Sequence, residues 1–263
     1  MPKVSIIMGI YNCSNYLEEA ISCISKQTFT DWELIMCDDC STDNTYEIAF
    51  KLSQQDSRIK LIKNEKNLTL APTLNRCIEI ATGKYLARMD GDDICHPERL
   101  EKEVQFLEKN AEYAVVSSFM NLFDEKGTYR TVSYKAHPLA TDLADKSPFC
   151  HAGCIIRKET MVQLGGYDVS EKCHRVEDYD LWVRLYAMGQ KGYNIQEALY
   201  SMRDDRNANH RRTWQNRCNE ARVKRKATRL FSLGVKGYIK SLIPIVKYFL
   251  PSFVYKLAHR NLK

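Results

Sequence analysis

Three carboxylates close the apolar run Tyr85-Leu86-Ala87-Arg88-Met89-Asp90-Gly91-Asp92-Asp93. Like charges at this spacing repel unless something positive neutralises them. Hard divalent ions such as Mg²⁺ or Mn²⁺ take oxygen ligands and keep positions open for phosphate oxygens. The cluster therefore suggests a place for a metal and a diphosphate. The bland alternative is an acidic turn in water, since Asp-Gly pairs are frequent turn formers. The segment by itself does not separate the two.

Thiols and imidazoles offer a second chemistry. Cys37 and Cys40 form a C-x-x-C, and Cys150, His151 and Cys154 are close in sequence. Zinc would require them to converge, and no second C-x-x-C completes a structural-zinc pattern. Ten cysteines scattered through 263 residues, with no charged-then-apolar leader at Met1, read as reduced thiols of a cytoplasmic protein.

The elements that must position these groups alternate in type. Residues 4–8 are a β-branched apolar strand, and Leu17, Ala20, Ile21 and Ile24 share one face of the helix that follows. Residues 32–37 read as a second strand. Ser41 to Thr45 offer caps for a helix reaching residue 55, and residues 59–62 form a third strand. The spacing predicts a helix over 71–81, Gly83 to end it, and a fourth strand over 85–89. Strands separated by helices of about 10 to 15 residues build βαβ units and a parallel sheet, whose ligands bind beyond the carboxyl ends of the strands. The Asp cluster falls at such an end.

Pro97 is placed to start a helix to residue 110, and residues 113–118 read as a strand. No element is assigned over 121–148. Residues 149–156 are strand-like, 158–164 form a short helix broken by Gly165-Gly166, and 177–188 form a helix burying Leu181, Trp182 and Leu185. The remainder changes character: from Arg203 onward there are 16 Lys and Arg against three acids, whereas the preceding 202 residues hold 23 basic and 30 acidic residues. A mildly acidic body with a basic tail implies a polyanionic partner, nucleic acid or an anionic membrane surface. Residues 209–231 are helix-compatible. Residues 233–258 mix apolar side chains with Lys236, Lys240, Lys247 and Lys256, and Pro244 and Pro251 are expected to break or kink them. With that charge the segment is suited to lie on a membrane rather than cross it; an ordinary helix packed on the body is the alternative.

Three further segments align with the Asp cluster: Met8-Gly9-Ile10-Tyr11-Asn12, Cys37-Asp38-Asp39-Cys40-Ser41-Thr42-Asp43, and Glu177-Asp178-Tyr179-Asp180-Leu181-Trp182. In order and spacing, over about residues 3–203, the four resemble the inverting family 2 glycosyltransferases of GT-A fold, in their bacterial capsular and exopolysaccharide branch. The resemblance implies an α/β domain over residues 1–205, with a Rossmann-like, mostly parallel central sheet flanked by helices. A basic amphipathic helical tail over 206–263, associated with a membrane, follows it.

Residue by residue, the resemblance places a UDP-sugar against Gly9, Tyr11, Asp39 and Asp90. Tyr11 at a strand end can stack on a base, and Asp39 can accept the imide N–H of uracil. Each also has an ordinary role, as a core-edge aromatic and a turn acid. Cys40 stands where the family has Gly. Mn²⁺ or Mg²⁺ falls to Asp92, with Asp90 and Asp93 sharing the duty, and Asp178 becomes the general base that takes the acceptor hydroxyl's proton during inverting transfer. Acids at a helix start are otherwise dipole-compensating residues. Glu177, Arg88, His151 and Arg203 are candidate neighbours, and His210 is unassigned.

These expectations describe a peripheral enzyme of the inner membrane face, extending a lipid-linked or oligosaccharide acceptor. Sugar-nucleotide synthesis by nucleotidyl transfer is a rival, but it needs a Gly-rich basic phosphate loop, and Gly9 stands alone near Lys3. A nucleic-acid-binding or regulatory protein would leave the Asp cluster and Asp178 without a purpose, so no nucleic acid is expected.

Overall fold

The computed structural model describes residues 1–204 and 213–249. A sheet of nine strands organises them. β1 (Val4–Ile10), β2 (Trp32–Asp38), β3 (Ile59–Lys63) and β4 (Tyr85–Arg88) run parallel in the order β3-β2-β1-β4. β8 (Ile155–Arg157) enters antiparallel beside β4, and β6 (Tyr113–Asp124), β9 (Lys191–Arg203) and the short β5 (Ile94–Cys95) continue the sheet. β6 and β9 are parallel to each other, and β7 (Gly127–Val132) pairs with β6 off the main path.

Both faces of the sheet are covered. Val4, Ile6, Met8 and Ile10 of β1 enter a core with α1 (Leu17–Ser25), α2 (Thr45–Gln55) and α4 (Arg99–Lys109). Ile7 and Ile35 enter the opposite core with α3 (Leu70–Ile80), α5 (Lys158–Gln163) and α6 (Glu177–Ala187). Strands buried on two faces carry continuous apolar runs, which is what made them visible in the sequence. Along β4, Tyr85 and Ala87 face the first core and Leu86 the second. The two-residue period sends Arg88 to the same side as Leu86.

Several expectations change. Gly83 does not end α3 by a left-handed turn; a Cβ there would lie 2.6 Å from the Ser5 nitrogen, so the position is glycine because two backbones approach. Of the strand-like stretch 149–156, only residues 155 and 156 belong to a strand, β8. The preceding residues turn, with Gly153 N–H donating to the Cys150 carbonyl at 3.2 Å, and Phe149, Cys150 and Ala152 are apolar because they are buried. β9 had no sequence counterpart.

The basic C-terminal helices pack on the body. Thr213 caps α7 (Trp214–Leu230) by accepting from Asn216 N–H at 3.2 Å. Ala221, Val223 and Ala227 are buried, and Lys226 pairs with the buried Asp180 at 2.5 Å. Lys224 Nζ donates to the Asp145 carbonyl at 2.8 Å, and Lys240 pairs with the Asp145 carboxylate at 2.7 Å. α8 (Gly234–Phe249) runs through Pro244 instead of breaking there. A proline inside a helix costs about 3 kcal/mol, and Pro244 is itself buried on the inner side of α8. That inner side is Gly237, Ser241 and Pro244, while Val235, Ile239, Val246 and Phe249 point outward. Pro251 and His210 lie outside the described residues. No described helix is long and apolar enough to cross a membrane.

A buried carboxylate ties β1, β2 and the α3–β4 connection together. Glu33 accepts from Ser5 Oγ at 2.5 Å, from Thr82 N–H and Oγ1 at 2.8 and 2.7 Å, and pairs with Lys60 at 2.7 Å. Burial works to raise its pKa, but the Lys60 pair and the Ser5 and Thr82 hydrogen bonds outweigh it and hold the group at about 2. A depressed carboxylate stabilises the fold above its ordinary value and loses that contribution as the pH falls through its folded value. Glu33→Gln is expected to cost about 2 kcal/mol at neutral pH. In urea titrations the gap from wild type should narrow as the pH drops from 4.5 toward 2; a pH-independent gap would contradict the assignment.

Candidate active site

The ends of β1 and β2 form one wall of a cavity of about 820 Å³, lined by Gly9, Tyr11, Asp39, Thr69, Pro72 and, across from them, Glu177. Tyr11 is 48% exposed, so its ring face is open to a flat ligand. Asp39 is buried. Its Oδ1 accepts from Asn64 Nδ2 and Leu68 N–H, both at 2.7 Å, and its Oδ2 accepts from Thr69 N–H at 2.9 Å. Three donors leave acceptor capacity on Oδ2. The same bonds hold Thr69 at φ +73, a left-handed conformation that is rare for a β-branched residue. Cys40 also sits at φ +60, where glycine would be free of strain and cysteine is not. Asn12 Oδ1 latches the two strand ends by accepting from Thr42 N–H at 2.8 Å.

The acid loop follows β4. Gly91 is required by packing, because a Cβ would lie 2.9 Å from Ile10 Cγ2 and 3.0 Å from Cys13 Sγ. The three aspartates then diverge. Asp90 pairs with the buried Arg88 at 2.5 Å and is 30% exposed. Burial, then the neighbouring Asp90, push the Asp92 pKa up. Asp93 is turned inward, where Oδ2 accepts from Tyr200 O–H and Oδ1 from Arg203 N–H, both at 2.7 Å. That geometry anchors the loop through Asp93, both of whose carboxylate oxygens already accept from β9.

Arg88 lies beneath this loop, donating to Asp90 and to the Met89 carbonyl. Arg203 buttresses it from the other side: Nε donates to the Asp92 carbonyl at 3.0 Å and Nη2 pairs with Glu19 at 2.6 Å, with the guanidinium over the Tyr16 ring at 4.1 Å. Arg203 is thus committed to the loop, and Glu19 is its ion-pair partner. His151 meets Tyr167 Oη at 2.8 Å; burial, then the nearby Arg88, push its pKa well below the ordinary imidazole value, so it is neutral.

α6 opens with Glu177 and Asp178. Glu177 lines the first cavity, and Asp178 lines a second of about 500 Å³. Ser147 Oγ donates to Asp178 Oδ2 at 3.4 Å. Burial, then Glu177, raise Asp178 to about 6. Arg175 lines both cavities.

The donor set at β4 suits a hard divalent cation: Asp90 is part-exposed, and Asp92 carries like-charge repulsion that such an ion would relieve. No zinc site forms from the cysteines. Cys37 and Cys154 lie in one core and Cys150 in the other, and all ten thiols are free. Among the described residues, Asp168, Cys173 and Asp180 do bring ligand atoms together, but Asp180 is already neutralised by Arg184 at 2.7 Å and Lys226. Tyr200, Asn64, Thr69 and Ser147 were missed from the sequence. Their types are unremarkable, and only tertiary contact brings them to the acids.

Residues 5–164 match the family described as glycosyl transferase family 2. The chain is 43% identical over 261 residues, 99% of its length and 94% of the relative's, to the putative glycosyltransferase EpsE of Bacillus subtilis (strain 168). It is 42% identical over 185 residues, 69% of each chain, to UDP-Glc:alpha-D-GlcNAc-diphosphoundecaprenol beta-1,3-glucosyltransferase WfgD of Escherichia coli. Among solved structures, S. aureus TarS in complex with UDP-GlcNAc superposes with a TM-score of 0.71 at 17% identity, over 94% of this chain and 82% of that one. Mannosyltransferase PcManGT from Pyrobaculum calidifontis, in complex with GDP-Man and Mn²⁺, gives 0.70 at 15% identity, over 99% and 80%. At such identities the likeness is one of fold, the GT-A arrangement of a curled, mostly parallel sheet between helices. The chain belongs to glycosyl transferase family 2 and is a glycosyltransferase.

Proposed function

We propose that this glycosyltransferase moves a sugar, with inversion, from a UDP-sugar to a lipid-linked glycan acceptor during capsule or exopolysaccharide synthesis, with Mn²⁺ or Mg²⁺ as cofactor. The observation that carries the reading is the start of α6, where the consecutive Glu177 and Asp178 line two different cavities. A donor in the first and an acceptor in the second would meet at these carboxylates. UDP-linked donors and diphosphate-linked acceptors in the names of relatives support the same substrates.

Tyr11 would stack on the uracil, and Asp39 Oδ2 would accept its imide N–H while Asn64 and the residue 68–69 amides keep the carboxylate aimed. Asp90 and Asp92 would hold the metal. A bound divalent ion supplies charge neutralisation for the diphosphate as it leaves. Arg88, beneath it, holds Asp90 in place by their ion pair. Asp178 takes the proton from the acceptor hydroxyl, and the hydroxyl oxygen forms its bond to the anomeric carbon opposite the departing diphosphate. The raised pKa suits a base, since a weakly solvated carboxylate is a better proton acceptor. The outward apolar row of α8 supports a peripheral position on the inner membrane face.

Because the base must be ionised, transfer should rise with pH through about 6, the region where Asp178 loses its proton. Asp178→Asn should flatten that limb and lower kcat by about 10²–10⁴, while UDP affinity stays unchanged; retained turnover would refute the assignment. Asp92→Ala should remove the gain in UDP affinity that Mn²⁺ gives in calorimetric titrations. A Mn²⁺-dependent gain equal to that of wild type would count decisively against the metal assignment.

A further inference from the structure

The second cavity carries chemistry beyond the base. It is walled by the residue 145–147 segment, the start of α6, and α7 and α8, and five cations line it: Lys146, Arg175, Arg217, Lys224 and Lys247. Arg217 and Lys224 share Glu220 at 3.0 and 3.4 Å. Lys146, Arg175 and Lys247 have no carboxylate at ion-pair distance among the described residues. Cations gathered around one cavity repel one another unless an anion offsets their charge. Three acids line the same walls, Asp145, Glu220 and Asp178, but Asp145 and Glu220 are already paired, with Lys240 and with Arg217 and Lys224. The cavity therefore has an unmet demand for negative charge beside a carboxylate able to take a proton.

Its position narrows the class of anion. Lys247 belongs to α8, whose outward side presents Val235, Tyr238, Ile239, Leu242, Val246 and Phe249. A molecule that is anionic at one end and hydrocarbon at the other satisfies both features at once. We infer that this cavity is the acceptor's phosphate subsite: Lys146, Arg175 and Lys247, backed by Lys224, bind the diphosphate of a lipid-linked acceptor, and the sugar next to that diphosphate presents its hydroxyl to Asp178. This inference rests on the acceptor reading above and names the residues that would recognise it. Because the cations and Asp178 line one cavity, only a short glycan separates the attacking hydroxyl from the phosphates. The acceptor is then an early, sparsely elongated lipid-linked sugar, and the preceding reaction must be one that attaches a sugar phosphate to a lipid phosphate.

The test uses the full chain and the double variant Lys146→Gln/Lys247→Gln, which touches neither the first cavity nor the acid loop. In metal-free buffer, where Asp90 and Asp92 repel a polyanion from the donor side, inorganic pyrophosphate should bind wild type by calorimetry and bind the variant at least about tenfold more weakly. Equal affinity for the two proteins, or no binding to wild type, overturns the subsite whatever the donor proves to be. Mn²⁺-dependent hydrolysis of UDP-sugars should be the same in both proteins; its absence from wild type would instead count against the proposed activity and leave the pyrophosphate result standing. With a diphosphate-lipid monosaccharide acceptor the variant should show KM raised at least about tenfold, and with an uncharged alkyl glycoside of the same sugar no change. Equal losses on both acceptors overturn the proposal. Cosedimentation with phosphatidylglycerol vesicles distinguishes a leaflet role: wild-type-like binding by the variant supports the cavity, and a loss of vesicle binding that accounts for the KM change assigns the cations to the membrane surface instead.

Discussion

A buried guanidinium sets the terms for this site. Arg88 is 2% exposed at the end of β4, paired with Asp90 and hydrogen-bonded to the carbonyl of Met89. An ion of this kind costs several kcal/mol to desolvate, and removing one partner of such a pair typically costs about 3–5 kcal/mol because the other charge is stranded. Its field reaches Asp92 and Glu177, whose ionised forms it favours, and His151, whose charged form it opposes. One cation thus does what a scattered acid cluster cannot do for itself. It opposes the upward push that burial gives Asp92 and Glu177, and it adds to the burial that keeps the nearby imidazole neutral.

The second clamp on the loop comes from far away in sequence. Tyr200 and Arg203 of β9 reach Asp93 across 107 and 110 residues, and Arg203 reaches on to Glu19 in α1. Tyr200 O–H also accepts from the Asp90 backbone at 3.2 Å. The turn is therefore held by Arg88 of β4 and by the last long strand, which is itself tied to the first helix. Asp93 is the hinge of that arrangement: burial, then Asp90 and Asp92, push its pKa up, while the Arg203 amide and Tyr200 hydroxyl oppose the shift. Its two fixed donors set the inward carboxylate of Asp93 apart from those of Asp90 and Asp92.

The parallel half of the sheet was legible because strands covered on both faces must be apolar throughout, and because caps and glycines punctuate the helices between them. The acid types at β4 and α6 were legible for a chemical reason: few structural roles need carboxylates so close together. What the sequence does not carry is direction. Asp90, Asp92 and Asp93 are the same residue within four positions, and only the donors offered by β9 decide which one turns inward. β9 itself, KGYNIQEALYSMR, alternates too irregularly to announce a strand. Its irregular register against β6 is the structural counterpart. Likewise the composition of α8 announces an amphipathic helix but not that Gly237, Ser241 and Pro244 form the side turned toward α7.

That inversion ties the C-terminal helices to the chemistry. A helix with its small residues inward can approach α7 closely, since a Cβ on Gly237 would lie 2.7 Å from Thr228 Cγ2. Close approach brings Lys247 to the cavity that Asp178 lines, and α7 reaches the same cavity through Asn216, Arg217, Glu220 and Lys224. α7 is in turn fixed to α6 by Lys226 on Asp180, two residues beyond Asp178. Among the described residues, four lysines of the C-terminal helices differ in what they do. Lys224, Lys226 and Lys240 are used internally to dock the helices, and Lys247 is left facing the cavity wall. Part of the charge of these helices is thus taken up by docking, and the position of Lys247 links the apolar surface of α8 to the cavity that Asp178 lines.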